Sequence, residues 1–313
     1  MTAAKAWVTG CFLLAGLVLL ALSVGAQGLG WGDGGSLILL RTPRVLAALA
    51  AGLALGIGGA AQQGVFRNPL ADPGLTGVFG GALFGIAVLL GLCPEAAWQR
   101  AWFIPAAAFG GALGTSALLV LIGGGGSSAR LLLTGLGLNA FTAAGTLVIA
   151  SRSGESRELL TNGAYGDWLG MATLELTWLP GLLCLAAALL LLPLARSFDL
   201  LAFGEDAARG FGGDVRATRG RAVLLTALAA AAATCLVGQV AFIGLLAPHL
   251  ARAMVGPRHA KVLPLSALLG AGLLLAADTL GRGLWPQAPL SAAAVTAVLG
   301  APLFIWIARR AHG

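Results

Sequence analysis

The chain has 313 residues, of which 58% are hydrophobic and only 10% are charged. A water-soluble surface needs more charge than this, so the composition excludes a soluble globular protein and predicts an integral membrane protein. The net charge of +7 is interpreted as a signal of membrane orientation, because no polar stretch is long enough to form a basic face for nucleic acid.

Ten apolar runs, each bounded by Gly, Pro or charged residues, are candidate membrane-spanning helices. They cover about residues 7–25, 44–63, 75–92, 101–122, 130–150, 176–195, 222–240, 242–256, 262–281 and 290–308. The first run could instead be a signal peptide, since small residues follow it at 23–26. The eighth is short, so it is either a full span or a half-helix packed against protein. The sequence predicts an all-α polytopic membrane protein of about ten transmembrane helices, forming one domain over residues 1–313.

The distribution of basic residues predicts the orientation of these spans. With ten spans and a cytoplasmic N-terminus, 13 of the 19 Lys and Arg residues fall on the cytoplasmic side and six on the outer side. The positive-inside rule then places both termini in the cytoplasm. The 48 glycines predict close helix packing, with Gly52 and Gly56 on one contact face and Gly110 and Gly114 on another.

The connections carry several local signals. The pairs 68–69 and 72–73 are Asn-Pro and Asp-Pro; because proline fixes φ and disfavours helix in the residue before it, they predict a rigid break after the second span. The glycine-rich stretch 123–128 is interpreted as a flexible turn between helices. Asp278 precedes Arg282 by four residues, a spacing that permits an ion pair on one helix face.

The one sizeable polar insert extends over about residues 196–221, on the predicted cytoplasmic side. Glu205 and Asp206 precede two alanines, and Gly210 and Gly212 follow, a pattern that predicts a very short helix with acidic residues at its N-terminus. Such a helix is a good contact point for a soluble partner.

Chemistry that would make this chain an enzyme is missing from the sequence. No motif brings together a nucleophile, a base or metal ligands, and neither lysine follows a glycine-rich phosphate loop. Energy for any active process must therefore come from another chain or from an ion gradient. We expect no cofactor and no metal bound by this chain.

Seven motifs occur in an order that resembles the FecCD-type permeases of ABC importers. They are Arg-Thr-Pro-Arg at 41–44, Gln-Gly-Val-Phe-Arg-Asn-Pro-Leu-Ala-Asp-Pro at 63–73, Gly-Glu-Asp-Ala-Ala at 204–208, Phe-Ile-Gly-Leu-Leu-Ala-Pro-His-Leu-Ala-Arg at 242–252, Leu-Pro-Leu-Ser at 263–266, Ala-Asp-Thr-Leu-Gly-Arg at 277–282 and Thr-Ala-Val-Leu-Gly-Ala-Pro-Leu-Phe at 296–304. The chain departs from the family pattern near Gln287, where the family usually has Glu. The resemblance covers most of the chain.

The resemblance implies a homodimer in the bacterial inner membrane that moves cargo by alternating access. It implies two ATP-binding subunits, which would use ATP and Mg²⁺, and a soluble substrate-binding protein. The family's coupling to the ATPase falls on Glu205, Asp206, Ala207, Ala208, Gly210 and Gly212, and its docking of the binding protein falls on Arg41, Arg44 and Arg282. The remaining motif residues are expected to be structural: Arg67, Asn68, Pro69, Asp72, Pro73, Pro248, His249, Arg252, Asp278, Gly300 and Pro302.

The cargo is less well defined by the sequence. Asn139 resembles what haem permeases of this family carry on the fifth span, which favours haem and makes Asn139 a candidate for the translocation path. The same residue could serve only as a hydrogen bond between helices. An iron siderophore or cobalamin are the alternatives within the family, and an ion-coupled secondary transporter is the alternative from another class.

Overall fold

The structure is a computed structural model that describes residues 3–25, 28–29, 36–93, 102–123, 128–151, 167–284 and 289–311. The described α-helices are α1 Ala3–Ser23, α2 Ser36–Phe66, α3 Val78–Leu92, α4 Phe103–Gly123, α5 Ser128–Ala150, α6 Leu174–Leu191, α7 Ala195–Ala202, α8 Glu205–Gly210, α9 Val215–Val237, α10 Ile243–Val255, α11 His259–Leu284 and α12 Ala292–Ala311. Short 3-10 helices cover Pro73–Thr76, Asp167–Met171 and Leu192–Leu194, and a two-stranded antiparallel pair joins Val24–Gly25 to Gly28–Leu29. The interior of the predicted 123–128 turn, and the positions of Arg100, Arg152, Arg157 and Gln287, lie outside the described residues.

Each of the ten apolar runs coincides with a helix in the described chain. Seven helical stretches are long and apolar enough to cross a membrane, and three shorter apolar helices are Val78–Leu92, Ile243–Val255 and the first part of α12. The fold is therefore a helical one of the polytopic membrane type, as predicted. The number of crossings and the orientation of the termini stay predictions.

Two helix boundaries differ from the sequence prediction for the same reason. The second helix begins at Ser36 rather than near residue 44, and the seventh predicted span begins at Val215 rather than near 222. Both extensions carry arginines, which a hydropathy argument treats as the end of a span. Arg41 donates to the Leu22 carbonyl and Arg219 to Glu205. Arg216 and Arg221 are exposed. The helices therefore continue through these charges. The polar insert accordingly ends at Asp214, whose carboxylate caps α9 by accepting from Ala217 N at 2.9 Å.

Helices α2 and α11 form the most extensive contact of the bundle, and glycine allows it. A side-chain carbon on Gly52 would overlap the Gly270 carbonyl, and one on Gly56 would overlap that of Ser266. The two helices therefore run antiparallel with their backbones touching, as predicted for this glycine face. The prediction for Gly110 and Gly114 is wrong, because both face open space in the structure. Their neighbour Gly111 instead packs on Gly85 of α3.

The predicted break after α2 is confirmed and turns the chain back into the bundle. Pro73 lies beside Gly58, which is eight residues, or about 12 Å, before the end of α2. Gly244 near the start of α10 packs on Gly59 and on Asp72. Helices α3 and α10 thus both begin inside the bundle, which explains why both are short. The 13 residues of α10 span about 20 Å, well short of a bilayer core of about 30 Å.

Helix α1 packs against α11 and is held at its C-terminal end by two arginines. Arg41 donates to the Leu22 carbonyl at 2.7 Å, and Arg282 donates to the Val24 carbonyl at 2.8 Å and the Ala21 carbonyl at 3.4 Å. The last carbonyls of a helix have no partner within the helix, so these cations satisfy them and oppose the helix dipole.

Candidate functional site

The segment from α7 to α9 forms a projecting loop at the end of the bundle where α2 terminates. The chain turns at Gly204, whose φ of 108° requires glycine, and again at Gly212 with φ of 78°. Between these turns lies α8, as the sequence predicted. Phe203 and Phe211 flank it, with 76% and 72% of their surfaces exposed. Two large exposed aromatic side chains beside a short helix are typical of a surface that contacts another protein.

Ion pairs hold α8 in place. Glu205 accepts from Arg219 of α9 and, at 3.1 Å, from Arg209. Arg209 also contacts the fully exposed Asp206 at 2.8 Å. The hydrogen bond from Arg219 is the main cause that keeps the pKa of the Glu205 carboxyl below its usual value, and the charges of Arg219 and Arg209 add to it against the effect of partial burial. The Glu205 carboxylate therefore does two things. It lies at the N-terminus of α8, where a negative charge is favourable, and its ion pair with Arg219 orients α8 against α9.

An open cleft of about 900 Å³ lies beside this loop. Four parts of the chain line it: the end of α2 with the turn after it, α7 with Phe203, the C-terminal half of α10, and the start of α11. We call this the basic cleft, after its arginine and histidine residues. They are Arg67, His249, Arg252, Arg258 and His259.

A single carboxylate in the basic cleft joins α7 to α11. The Asp199 Oδ1 atom accepts from the His259 backbone N–H at 3.0 Å and lies 2.7 Å from His259 Nδ1. Asp199 thereby caps the N-terminus of α11 from a neighbouring helix. The contact ties the α7–α8 loop to the longest antiparallel helix pair of the bundle.

Arg252 belongs to the same cleft but is bonded to a neutral group. Its guanidinium donates to the side-chain oxygen of Gln63, and the Gln63 amide nitrogen lies 3.4 Å from the Gly244 carbonyl. This chain of contacts attaches both ends of α10 to α2. Pro248 is buried within α10, and His249 is half-buried on its cleft side.

The motif residues that follow α2 build the turn into the bundle. Arg67 has a φ of 50°, which is unusual for a residue with a side chain. The Asn68 side chain accepts from Leu70 N at 3.0 Å, and Asp72 accepts from Gly74 N at 2.8 Å to cap the 3-10 helix at Pro73. Irregular backbone inside a bundle needs such partners because water is excluded there.

Asn139 forms a hydrogen bond with a backbone carbonyl of this irregular segment. Its side-chain nitrogen donates to the Gly74 carbonyl at 2.8 Å, so the interhelical hydrogen bond considered from the sequence is present. Further along the chain, a methyl group on Gly300 would lie 2.7 Å from Phe242, so glycine there lets α12 approach the start of α10. Pro302 lies within α12 and is exposed.

At the opposite end of the bundle, two arginines contact Asp278 and a third lies near them. Arg44 contacts it from α2 with Nε at 2.9 Å and Nη2 at 2.6 Å. Arg282 contacts it at 3.0 Å across the predicted i,i+4 spacing, and Arg41 lies on the same turn of α2 as Arg44. We call this group, with Asp278, the arginine cluster. Asp278 has no solvent exposure.

The burial of the arginine cluster bears on the docking role expected for its arginines. Arg41 is 9% exposed and Arg282 is 5% exposed, and both donate to carbonyls of α1. The Arg44 side chain is 21% exposed, so of the three it presents the most surface. The structure thus gives these arginines internal contacts, of which the sequence had indicated only the Asp278–Arg282 pair.

Three contributors to these sites were missed from the sequence. Gln63 was quoted only as part of a motif, and Asp199 and His259 were not singled out. Each is a polar residue close to the border of an apolar run, and that position was the only sequence feature that could have marked it as a site residue. Their partners lie between 60 and 189 residues away along the chain, so the pairing itself was not visible.

Comparison with known proteins agrees with this architecture. Residues 13–310 match the FecCD transport family. The hemin transport system permease protein of Yersinia pestis is 37% identical over 281 residues, covering 87% of this chain and 82% of the relative. The vitamin B12 import system permease protein of Vibrio cholerae is 37% identical over 278 residues, with the same coverages of 87% and 82%.

A solved structure is similar over nearly the whole chain. It is a metal-chelate type ABC transporter in an inward-facing conformation, with a TM-score of 0.89, 26% identity, and coverage of 98% of this chain and 99% of the other. The expected family is confirmed by the match to its description and by the relatives. The chain belongs to the FecCD transport family and is a multi-pass ABC transporter permease of the bacterial inner membrane.

Proposed function

We propose that this chain is the permease subunit of an ATP-driven importer for haem or a similar iron chelate or corrinoid. Two separate ATP-binding subunits would hydrolyse ATP with Mg²⁺, and a soluble binding protein would deliver the cargo. Two copies of the permease would form the translocation path at their two-fold axis. The similarity to an ABC transporter and to permeases of import systems supports this arrangement.

Ten crossings with both termini in the cytoplasm are part of the proposal. The ten helices that coincide with the apolar runs support it, provided that the short helices α3 and α10 are completed by the irregular segments before them. With this orientation, the basic cleft and α8 face the cytoplasm, and the arginine cluster faces outward.

The observation that carries the proposal is the exposed α8 with its two flanking aromatic side chains. A short helix held by ion pairs, with Phe203 and Phe211 open to solvent, is suited to fit a groove on an ATP-binding subunit. ATP binding there would favour one of two permease conformations, since a partner shifts an equilibrium only by binding its two states with different affinity.

The experiment is reconstitution of the chain in vesicles with its ATP-binding subunit and binding protein, followed by measurement of ATP-dependent uptake. Deletion of residues 205–212 should abolish both uptake and co-purification of the ATPase. Because a deletion can disturb folding, the double substitution Phe203→Ser and Phe211→Ser is the sharper variant, as it changes only exposed side chains. Normal uptake by this variant would contradict the coupling role.

Docking of the binding protein at the arginine cluster is a further part of the proposal. The excess of three arginines over one carboxylate supports it, because acidic groups on a partner would be attracted to this end. Arg44 is the residue to test, since it is the most exposed of the three. Arg44→Gln should weaken binding-protein affinity less at high salt than at low salt, because exposed charges are screened within about 8 Å at physiological ionic strength.

The cargo requires a direct test. The resemblance at Asn139 favours haem, while relatives named for hemin and vitamin B12 are equally identical to this chain. Uptake assays should therefore compare haem, a ferric siderophore and cobalamin at equal concentration. The role of Asn139 in the path would be supported if Asn139→Ala changed the preference among these cargoes without changing expression.

The alternative function from another class of transport protein is that of an ion-coupled secondary transporter. Such a protein would accumulate cargo in vesicles without any ATP-binding subunit and would respond to a collapse of the ion gradient. Uptake by the purified chain alone would establish this alternative and refute the proposed importer.

A further inference from the structure

The charges of the basic cleft are not balanced within the part of the chain that the structure describes. Three arginines line it, Arg67, Arg252 and Arg258. Among the described residues, none of the three forms an ion pair with a carboxylate, and the partner of Arg252 is the neutral Gln63. Three positive charges in one concave surface repel one another unless an anion lies among them.

The one carboxylate of the cleft is already committed. Asp199 Oδ1 accepts from both the backbone and the ring of His259, and that geometry caps α11. It forms no ion pair with any of the three arginines, and one carboxylate cannot balance three positive charges. An acidic group of another molecule would therefore be attracted to the cleft.

The position of the cleft indicates what kind of partner that is. Ala202 and Phe203 line the cleft and lead directly into Gly204 and α8. A protein that binds α8 would therefore lie next to the mouth of the cleft. A volume of about 900 Å³ accommodates several side chains.

We propose that the basic cleft receives a carboxylate-bearing segment of the ATP-binding subunit, as a second contact beside α8. This inference rests on the proposed function, because it assumes that such a subunit binds at α8. The acidic side chains would pair with Arg67 and Arg258, which are exposed, and approach Arg252 at the floor of the cleft.

The arrangement would give this contact a mechanical consequence. The cleft is bordered by four separate elements, so a segment seated in it touches the end of α2, the α7 loop, α10 and the start of α11 together. The ion pair between Glu205 and Arg219 attaches α8 to α9 alone. Occupation of the cleft would thus connect the ATPase to the α2–α11 pair directly, and its loss would leave α8 as the only attachment.

The test compares two double variants that change charge equally. Arg67→Glu with Arg258→Glu reverses the two exposed charges in the cleft. Arg196→Glu with Arg221→Glu is the matched control, since both arginines are exposed on the same end of the bundle but outside the cleft. The affinity of each variant for the ATP-binding subunit that co-purifies with the wild-type chain is measured in detergent at several salt concentrations.

We expect the cleft variant to bind about tenfold more weakly or worse, the range for close charge pairs at an interface, and the control to bind like the wild type. The double variant Arg67→Gln with Arg258→Gln removes the two charges without reversing them, so it is less prone to misfold. Its affinity for the ATP-binding subunit should depend less on salt than that of the wild type. Equal losses in the cleft variant and the control would overturn the inference, because only net charge would then matter.

A photo-crosslinking residue at position 258 identifies the occupant. Crosslinks to an acidic peptide of the ATP-binding subunit would support the inference, and crosslinks to phospholipid alone would overturn it. Failure of the wild-type chain to bind any ATP-binding subunit would instead refute the proposed function. Loss of binding in the Phe203→Ser and Phe211→Ser variant, with unchanged binding in the cleft variant, would keep the proposed function and reject only the second contact.

Discussion

Arginine serves different purposes at the two ends of this bundle. In the arginine cluster, Arg41 and Arg282 are buried, their guanidiniums are bonded to carbonyls of α1, and Arg282 shares Asp278 with Arg44. In the basic cleft, Arg67 and Arg258 are exposed, and neither forms an ion pair with a carboxylate of the described residues. The same residue type therefore completes the fold at one end and remains available at the other.

The difference teaches that a positive residue in a membrane protein cannot be assigned from its side of the membrane alone. Arg41, Arg44 and Arg282 resemble docking residues in sequence, yet two of them close the end of a helix. Their partners decide what they do. The comparison predicts large effects on stability at the arginine cluster and small ones at the α7–α8 loop, where effects on partner binding should dominate.

The largest effect should follow from Asp278→Asn. The substitution leaves Arg44 and Arg282 without their shared counter-charge in a buried site, and removal of one member of a buried ion pair costs about 3–5 kcal/mol. Thermal unfolding of the purified chain in nanodiscs would measure the loss. Asp206→Asn is the control, because that carboxylate is fully exposed. Equal stability of the two variants would show that the cluster does not hold the fold, and the comparison would fail.

A second effect concerns the helix pair that joins the two ends. In Gly56→Ala, the added carbon would overlap the backbone of Ser266, and overpacking of this kind costs about 1–3 kcal/mol. This outweighs the gain in helix propensity of up to about 1 kcal/mol. Gly110→Ala is the matched control, since that glycine faces open space and should keep only the propensity gain. If both variants were equally stable, α2 and α11 would not be in backbone contact, and the two ends would not be rigidly connected.

Features that depend on neighbours in sequence were predictable, and those that depend on distant ones were not. The break at residues 68–73 follows from proline geometry, α8 from acidic residues and flanking glycines, and the Asp278–Arg282 pair from helical spacing. The pairing of Arg44 with Asp278 joins residues 234 apart, and the donation from Arg41 to α1 joins an arginine to a backbone group that has no sequence signature. Hydropathy cannot show either contact. The starts of α2 and α9 were placed too far along the helices because hydropathy treats their arginines as the end of a span.

The smallest effect, and the one that sharpens the description of the α7–α8 loop, is the pH dependence of Glu205. Because its pKa is lowered in the folded protein by Arg219 and Arg209, the ionised carboxylate stabilises the fold at neutral pH. That contribution is complete above the ordinary Glu pKa of 4.5 and is lost as the pH falls through the lower folded value. Glu205→Gln should therefore reduce stability at neutral pH by less than about 1 kcal/mol, since partly exposed pairs are screened.

The pH dependence distinguishes this ion pair from a merely polar contact. Unfolding of the wild type and of Glu205→Gln should differ at neutral pH and converge in acid, where the wild-type carboxyl is protonated and donates or accepts as the amide does. Asp206→Asn changes the fully exposed neighbouring position. Its stability should already be close to that of the wild type at neutral pH, so no convergence in acid is expected. A difference between wild type and Glu205→Gln that persisted unchanged into acid would mean that shape, rather than charge, holds α8 on α9. The two ends of the molecule would then differ further, since ion pairs would hold the structure at the arginine cluster but not at α8.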